Sequence, residues 1–284
     1  MALLIFLSLC MAAEEWVVPP AVLEAARESR NLPLGLRMKA VTDPMLGLPY
    51  IVDGIGEGRP PDADPLVRYD GYDCLTFVEE ALALSMMADP ASLPALRNSL
   101  RYSSRIDYHD RNHFMVSQWI PNAIEKGILA DITSQHGEVH LVSKTIIPRN
   151  WARWKGRWNF HLAAEDYPLG QFTLGVLSLD EAAGALPGLP DGALLVVVRQ
   201  NRNYNPLLVT HIGFVVRDAE GVKIRHATKM GGKVVRDDRL PWYFEHLMKF
   251  DNWPVEGILV LMPQEMGPRR ISMPGPARED GALP

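Results

Sequence analysis

Cysteine is scarce in this chain: two among 284 residues, Cys10 and Cys74. Stability cannot come from a framework of several disulfides. Runs of lysine or arginine are also missing and the net charge is −5, so nothing suggests a nucleic-acid partner. An apolar run at residues 2–13, ALLIFLSLCMAA, is too short to cross a bilayer. No internal repeat and no long low-complexity segment occurs. What is present is ordinary, 47% hydrophobic and 22% charged residues, enough for a proper core in one large domain or two small ones.

The run at 2–13 has the character of a signal-peptide core, with small residues near its end, although no charged segment precedes it. Export to the periplasm or the medium is the expectation. A lipid anchor at Cys10 and a cytoplasmic protein with a buried N-terminal segment are the alternatives; Leu9 is bulky for a lipoprotein site. If Cys10 leaves with the leader, Cys74 is alone. A lone thiol in an exported protein needs a reason.

Residues 20–29 (PAVLEAARES) predict a helix opened by proline. Residues 44–66 are dense in glycine, proline and aspartate and predict a loop with one short extended piece. From Asp73 to Met87, Phe77, Val78, Ala81, Leu82 and Leu84 recur at helical spacing behind a good N-cap, Asp73. PASLPALRNSLRY and FMVSQWIPNAIEKGIL predict further helices, the second broken or started by Pro121. Beyond about residue 170 the texture changes. Residues 192–200, 208–217, 222–229 and 255–263 are β-branched runs separated by turn signals. LPWYFEHLMKF predicts a short helix among them. Helices first and strands later give an α+β class with an antiparallel sheet. The expected organisation is a leader at 1–13, one domain over 16–263 and a Pro/Gly-rich, disordered tail over 264–284. The segment RNWARWKGR (149–157) is basic and aromatic. It reads either as a solvated loop pinned by tryptophans or as a platform for a sugar or an anionic polymer.

Cys74 directly follows the cap Asp73, so it sits in a first helical turn. There the helix dipole and free N–H groups favour a thiolate and could receive an oxyanion. A small buried cysteine is the bland alternative. Of eight histidines, His211 and His226 lie inside confident strands. If Arg217 pairs with Val222 across the hairpin, His211 faces Thr228 and His226 stands two residues along on the same face. Such diagonal neighbours lie roughly 7–8 Å apart, within reach of two rings. Gly213, opposite His226, leaves room. A slip of one residue would part the rings. Either histidine alone would read as structural. Together with the capped cysteine they point to a Cys–His–polar triad, with His211 as base and His226 orienting it. Two pairs with i, i+4 spacing, His109/His113 and His136/His140, offer a zinc alternative, but neither lies in a convincing helix and HExxH is absent. His113, with Tyr72, Arg111, Trp119 and Asn122, is expected to line a substrate pocket.

YDCLTFVEEALALS followed by THIGFVV and IRHAT resembles the NlpC/P60 superfamily of papain-like cysteine peptidases that turn over bacterial cell wall. The closer likeness is to its N-acetylmuramoyl-L-alanine amidase-like branch. LGLPYIVDGIGEG, the segment RYSSRIDYHDRNHFMVSQWIPNAIEKGILADIT and GVKIRHATK agree with it, so the likeness runs from about residue 35 to 262. It implies helices packed on a central antiparallel sheet, with the cysteine heading a helix against it. It implies Cys74 as nucleophile, His211 as base and His226 as third residue, muropeptides as substrates, and no metal or cofactor. The bond implied is the amide between N-acetylmuramic acid and L-alanine. An endopeptidase cutting after D-glutamate and a non-catalytic muropeptide-binding module are the alternatives. Residues 137–190, rich in tryptophan and proline, fall outside the pattern.

Overall fold

A computed structural model describes residues 17–265. The expected leader, and the tail beyond Glu265, lie outside the described residues. The first half is helical: α1 (Pro20–Ser29), α2 (Leu34–Thr42), α3 (Cys74–Met86), α4 (Leu93–Arg101) and α5 (Ile120–Glu125). A five-residue π-turn, Met115–Trp119, leads into α5, where Pro121 sits at the start and needs no N–H partner. There follow β1 (Leu129–Asp131), β2 (His140–Ile146), α6 (Pro148–Arg153), β3 (Gly170–Val176) and α7 (Leu179–Gly184). Then come β4 (Leu194–Arg199), β5 (Val209–Asp218), β6 (Gly221–Thr228), β7 (Val234–Arg239), α8 (Leu240–Leu247) and β8 (Val255–Pro263).

Six strands form one sheet in the order β1-β8-β4-β5-β6-β7, every neighbour antiparallel. The α+β class holds. The β5–β6 hairpin has the anticipated register, Arg217 opposite Val222 and Phe214 opposite Arg225. A β-bulge in the β4–β5 ladder near Val209 adds a residue to β5 just before His211.

The helix α3 is the centre of the molecule. Residues Phe77 to Ser85 are all buried, as expected of a helix apolar on nearly every side. Its exceptions, Glu79 and Glu80, are each 2% exposed and meet arginines of α4. Glu80 takes Arg97 through two bonds, 2.7 and 2.9 Å, and Arg97 also donates to the Tyr69 hydroxyl. Glu79 takes Arg101 at 3.2 Å and the Trp119 indole N–H at 2.9 Å. On one sheet face α3 packs with α2 and α4 against Ile212, Phe214 and Ala227. On the other, α8 covers Val197, Val215 and Ile224.

Several elements escaped the sequence pattern. In α2, Gly35 interrupts an otherwise fair helix because a Cβ there would lie 1.9 Å from the Asp191 carbonyl oxygen. The strand β7, VVRDDR, reads as a polar loop. β2 and β3 form a separate two-stranded hairpin whose connection carries α6 and the tryptophans. There Trp151 is 1% exposed and stacks on Trp154, which pins the segment as one of the two readings anticipated. Trp158 is 76% exposed, with Arg157 over its ring.

Candidate active site

Asp73 caps α3 through a reciprocal box. The Thr76 N–H donates to Asp73 Oδ1 at 2.8 Å, and the Asp73 N–H donates to Thr76 Oγ1 at 3.0 Å. With that carboxylate engaged by its own backbone, Cys74 is the first helical residue, half-buried at the edge of the core. Its sulfur meets the backbone amide of Ile212, the residue after His211 on β5, and the Tyr50 hydroxyl reaches it from the facing loop. Tyr50 itself is anchored by a bridge to Tyr72, immediately upstream of the cap.

The two strand histidines meet as the register requires. His211 Nε2 lies 2.8 Å from His226 Nδ1, with the rings edge-on. Gly213 makes this approach possible, because a Cβ there would come within 2.8 Å of the His226 Cβ. His226, wholly buried, places its Nε2 3.0 Å from Asp238 Oδ2 on β7, and Arg236 holds the other oxygen at 2.5 Å. Tyr243 of α8 packs against both rings and lies close to Cys74.

This chain of bonds fixes protons. A carboxylate only accepts, so His226 Nε2–H donates to Asp238. Neutral His226 then has a bare Nδ1, which accepts from His211 Nε2–H. The lone pair left over is His211 Nδ1, for which no hydrogen bond is seen among the described residues. Burial pushes the Asp238 carboxyl up, but the bond from His226 and the Arg236 charge outweigh it and hold it below its usual range. Burial, then repulsion from His226 whenever that ring is protonated and from Arg199, keep His211 well below an ordinary imidazole pKa, so it is a neutral base at pH 7.

The thiol departs from expectation. Burial, and then the adjacent Asp73 charge, push Cys74 up to about 12, against the pull of the amides of Ile212, Cys74 and Leu75. The helix N-terminus does not by itself produce a resting thiolate. The arrangement is a neutral thiol beside a neutral imidazole.

The expected pocket residues divide. Arg111 and His113 line a cavity of about 280 Å³ that begins at Asp73, Leu75 and Thr76. There Arg111 is a strut, bonded to both oxygens of Glu57 and to Asp62. His113 donates to the Tyr108 carbonyl at 2.7 Å, and burial pushes its pKa down to about 4. Tyr72 and Trp119, by contrast, are 4% and 0% exposed and belong to the core. Their aromatic bulk is spent packing around α3, which corrects the expectation of a pocket lining. Asn122 bonds Asn112 and Ser103 instead of facing a cavity. His109 and His140 turn to separate carboxylates, Asp166 at 2.8 Å and Glu256 at 3.8 Å. Among the described residues no group of three or more His, Cys, Asp or Glu is arranged around a common point. Asp238, Tyr50 and Tyr243 were missed. The one sequence signal for Asp238 was the acid pair Asp237-Asp238 behind two valines.

A second cavity, about 210 Å³, is lined by His211 with Tyr50, Arg199, Thr210, Lys229 and Tyr243 among others.

Known proteins share this fold. A Legionella pneumophila protein superposes with a TM-score of 0.74 at 21% identity, over 85% of this chain and 93% of its own. An N-acetylmuramoyl-L-alanine amidase from Bacteroides uniformis gives 0.67 at 20% identity, over 81% and 99%. A candidate xylanase from Bacteroides fragilis gives 0.61 at 24%, over 80% and 98%. At such identities these establish the shared fold alone. No curated protein matches the sequence. The sequence profile of one family, described as N-acetylmuramoyl-L-alanine amidase-like, matches residues 40–248, which include Cys74, His211, His226 and Asp238. From α2 through α8, this chain belongs to the N-acetylmuramoyl-L-alanine amidase-like family.

Proposed function

We propose that the protein is a papain-like cysteine amidase of the NlpC/P60 superfamily. It hydrolyses the amide between N-acetylmuramic acid and L-alanine in peptidoglycan fragments, with Cys74 as nucleophile, His211 as base and His226 as orienting residue. The observation that carries this reading is the relay Asp238–His226–His211, which ends in one bare nitrogen next to the residue whose amide meets the Cys74 sulfur. Export to the periplasm or medium goes with it, since peptidoglycan fragments are released there.

The neutral resting pair determines the order of events. The Cys74 proton passes to His211 Nδ1 as sulfur attacks the lactyl carbonyl carbon, so deprotonation and attack are coupled. The C–S bond forms and the carbonyl electrons move to oxygen. The Tyr50 hydroxyl and the N–H at the head of α3 are the donors near that charge. As the tetrahedral species collapses, the C–N bond breaks and the alanine nitrogen takes the proton from His211. The muramoyl group is then a thioester on Cys74. A water gives one proton to His211 and its oxygen attacks the thioester, the C–S bond breaks, and the proton returns to sulfur. Throughout, Asp238 stabilises the positive charge that the imidazole pair carries transiently.

The test is incubation with a defined disaccharide–peptide and mass analysis of the products. A free peptide beginning at L-alanine is the expected product. Release of a shorter peptide would instead establish an endopeptidase acting after D-glutamate. Binding without any cleavage would leave a muropeptide-binding module.

A further inference from the structure

The cavity beside His211 holds two cations that take no part in the bond-making steps. Arg199, at the end of β4, is only 9% exposed. Its guanidinium is fixed from three sides. Nε donates to Thr210 Oγ1 at 2.9 Å, Nη1 donates to the Trp253 carbonyl at 2.7 Å, and the group lies 4.5 Å over the Phe250 ring. No carboxylate among the described residues pairs with it, and no described partner takes Nη2. The other buried arginines are different: Arg97, Arg101, Arg111 and Arg225 each hold an acidic partner. Lys229, on the rim of the same cavity, places its Nζ 5.4 Å from the Tyr50 ring centre, and no acidic partner is seen for it among the described residues. Burying a guanidinium without an anion is costly, and burial alone lowers its proton affinity. A rigid, desolvated fork with one face open toward a cavity is the arrangement that receives a carboxylate.

We infer that Arg199 and Lys229 form a carboxylate subsite beside the reacting centre, which holds an acidic residue of the stem peptide on the leaving-amine side of the scissile bond. This rests on the amidase reading. Of the two parts joined by that bond, the glycan is neutral once its lactyl carboxyl is in the amide, so the carboxylate comes from the peptide. His211 lines the same cavity and is the group that hands a proton to the departing nitrogen. The peptide therefore runs from His211 toward Arg199. The sugar lies toward the opposite cavity, where Asn159, Phe160 and Asp53 offer an aromatic face and hydrogen-bonding groups. The subsite selects fragments that still carry an acidic residue near the alanine, and it fixes the direction of the substrate.

The experiment compares N-acetylmuramoyl-L-alanyl-D-glutamate with its diamide, which has the same shape and no charge. Charge-assisted bonds of this kind predict that the wild type favours the acid by about 10- to 100-fold in kcat/KM. In Arg199→Gln the preference collapses to within about twofold, in Arg199→Lys part of it returns, and Lys229→Gln lowers it by a smaller factor. A wild type that treats both substrates alike, or an Arg199→Gln variant that keeps the preference, overturns the subsite. If Arg199→Gln does not fold by thermal melting, exposed Lys229→Gln carries the test, and an unchanged preference overturns the proposal. If the wild type cleaves neither compound, the amidase reading fails by itself. Calorimetric binding of the same two compounds then decides the subsite: tighter binding of the acid, weakened in Lys229→Gln, sustains it, and equal binding ends it.

Discussion

Two clusters of buried charge lie within a few residues of Cys74, and they are built on opposite plans. Between α3 and α4, Glu79 and Glu80 are closed off by Arg101 and Arg97, and the remaining donors go to Trp119, Tyr69 and the Leu66 carbonyl. Every strong group is matched, so the cluster can hold helices together and do little else. On β5 to β7, Arg236, Asp238, His226 and His211 form a line that is satisfied at one end and ends in a bare nitrogen at the other. The difference teaches how to tell a strut from a site: burial and hydrogen bonding are common to both, and only the second leaves a ring nitrogen with no partner among the described residues, on a residue that lines a cavity.

The contrast can be broken by substitution. His211→Ala removes the open end and should lower kcat/KM by about 10⁴-fold, measured as peptide release, since base and nucleophile act as a unit. Arg97→Met attacks the other cluster. It leaves Glu80 buried and unpaired, and should cost about 3–5 kcal/mol in chemical denaturation, with turnover per folded molecule close to wild type. Asp238→Asn keeps the shape of the relay but allows the amide to donate to His226 Nε2, which reverses the proton order along the line. A fall in kcat of about 10²-fold, with little loss of stability, is expected. The smallest effect is in the pH profile. His211 must be neutral to accept the thiol proton, and its pKa is lowered. Activity is therefore present above that pKa and lost as pH falls through it. The acid limb of kcat/KM should lie below the value of about 6.5 that an ordinary imidazole would give.

Much of this contrast was written in local sequence. The helix over 20–29, the four β-branched runs and the cap at Asp73 each follow from a pattern a few residues long. The histidine pairing was legible because one hairpin turn sets the register of His211 against His226, and Gly213 marked the close approach. What was not legible depends on partners far along the chain. Asp238 is a buried acid only because β7 pairs with β6, and the four charged residues of VVRDDR resemble a loop. Tyr50 reaches the thiol from a Gly/Pro-rich loop with no period to read. Trp119 and Tyr72 looked like pocket aromatics because sequence cannot distinguish a ring facing a cleft from one packed behind α3. The raised thiol pKa came from burial and from Asp73, whose helpful role as a cap hid its charge.

The central claim is that this open imidazole serves the Cys74 sulfur. Replacing Cys74 by alanine leaves the relay, both cavities and the cap in place, and the decisive measurement is mass analysis of a muropeptide incubated with this variant beside the wild type. The account predicts release of the alanine-headed peptide by the wild type and loss of about 10⁵-fold or more in the variant, with the uncut muropeptide still bound. Hydrolysis by Cys74→Ala at a rate near that of the wild type would contradict it.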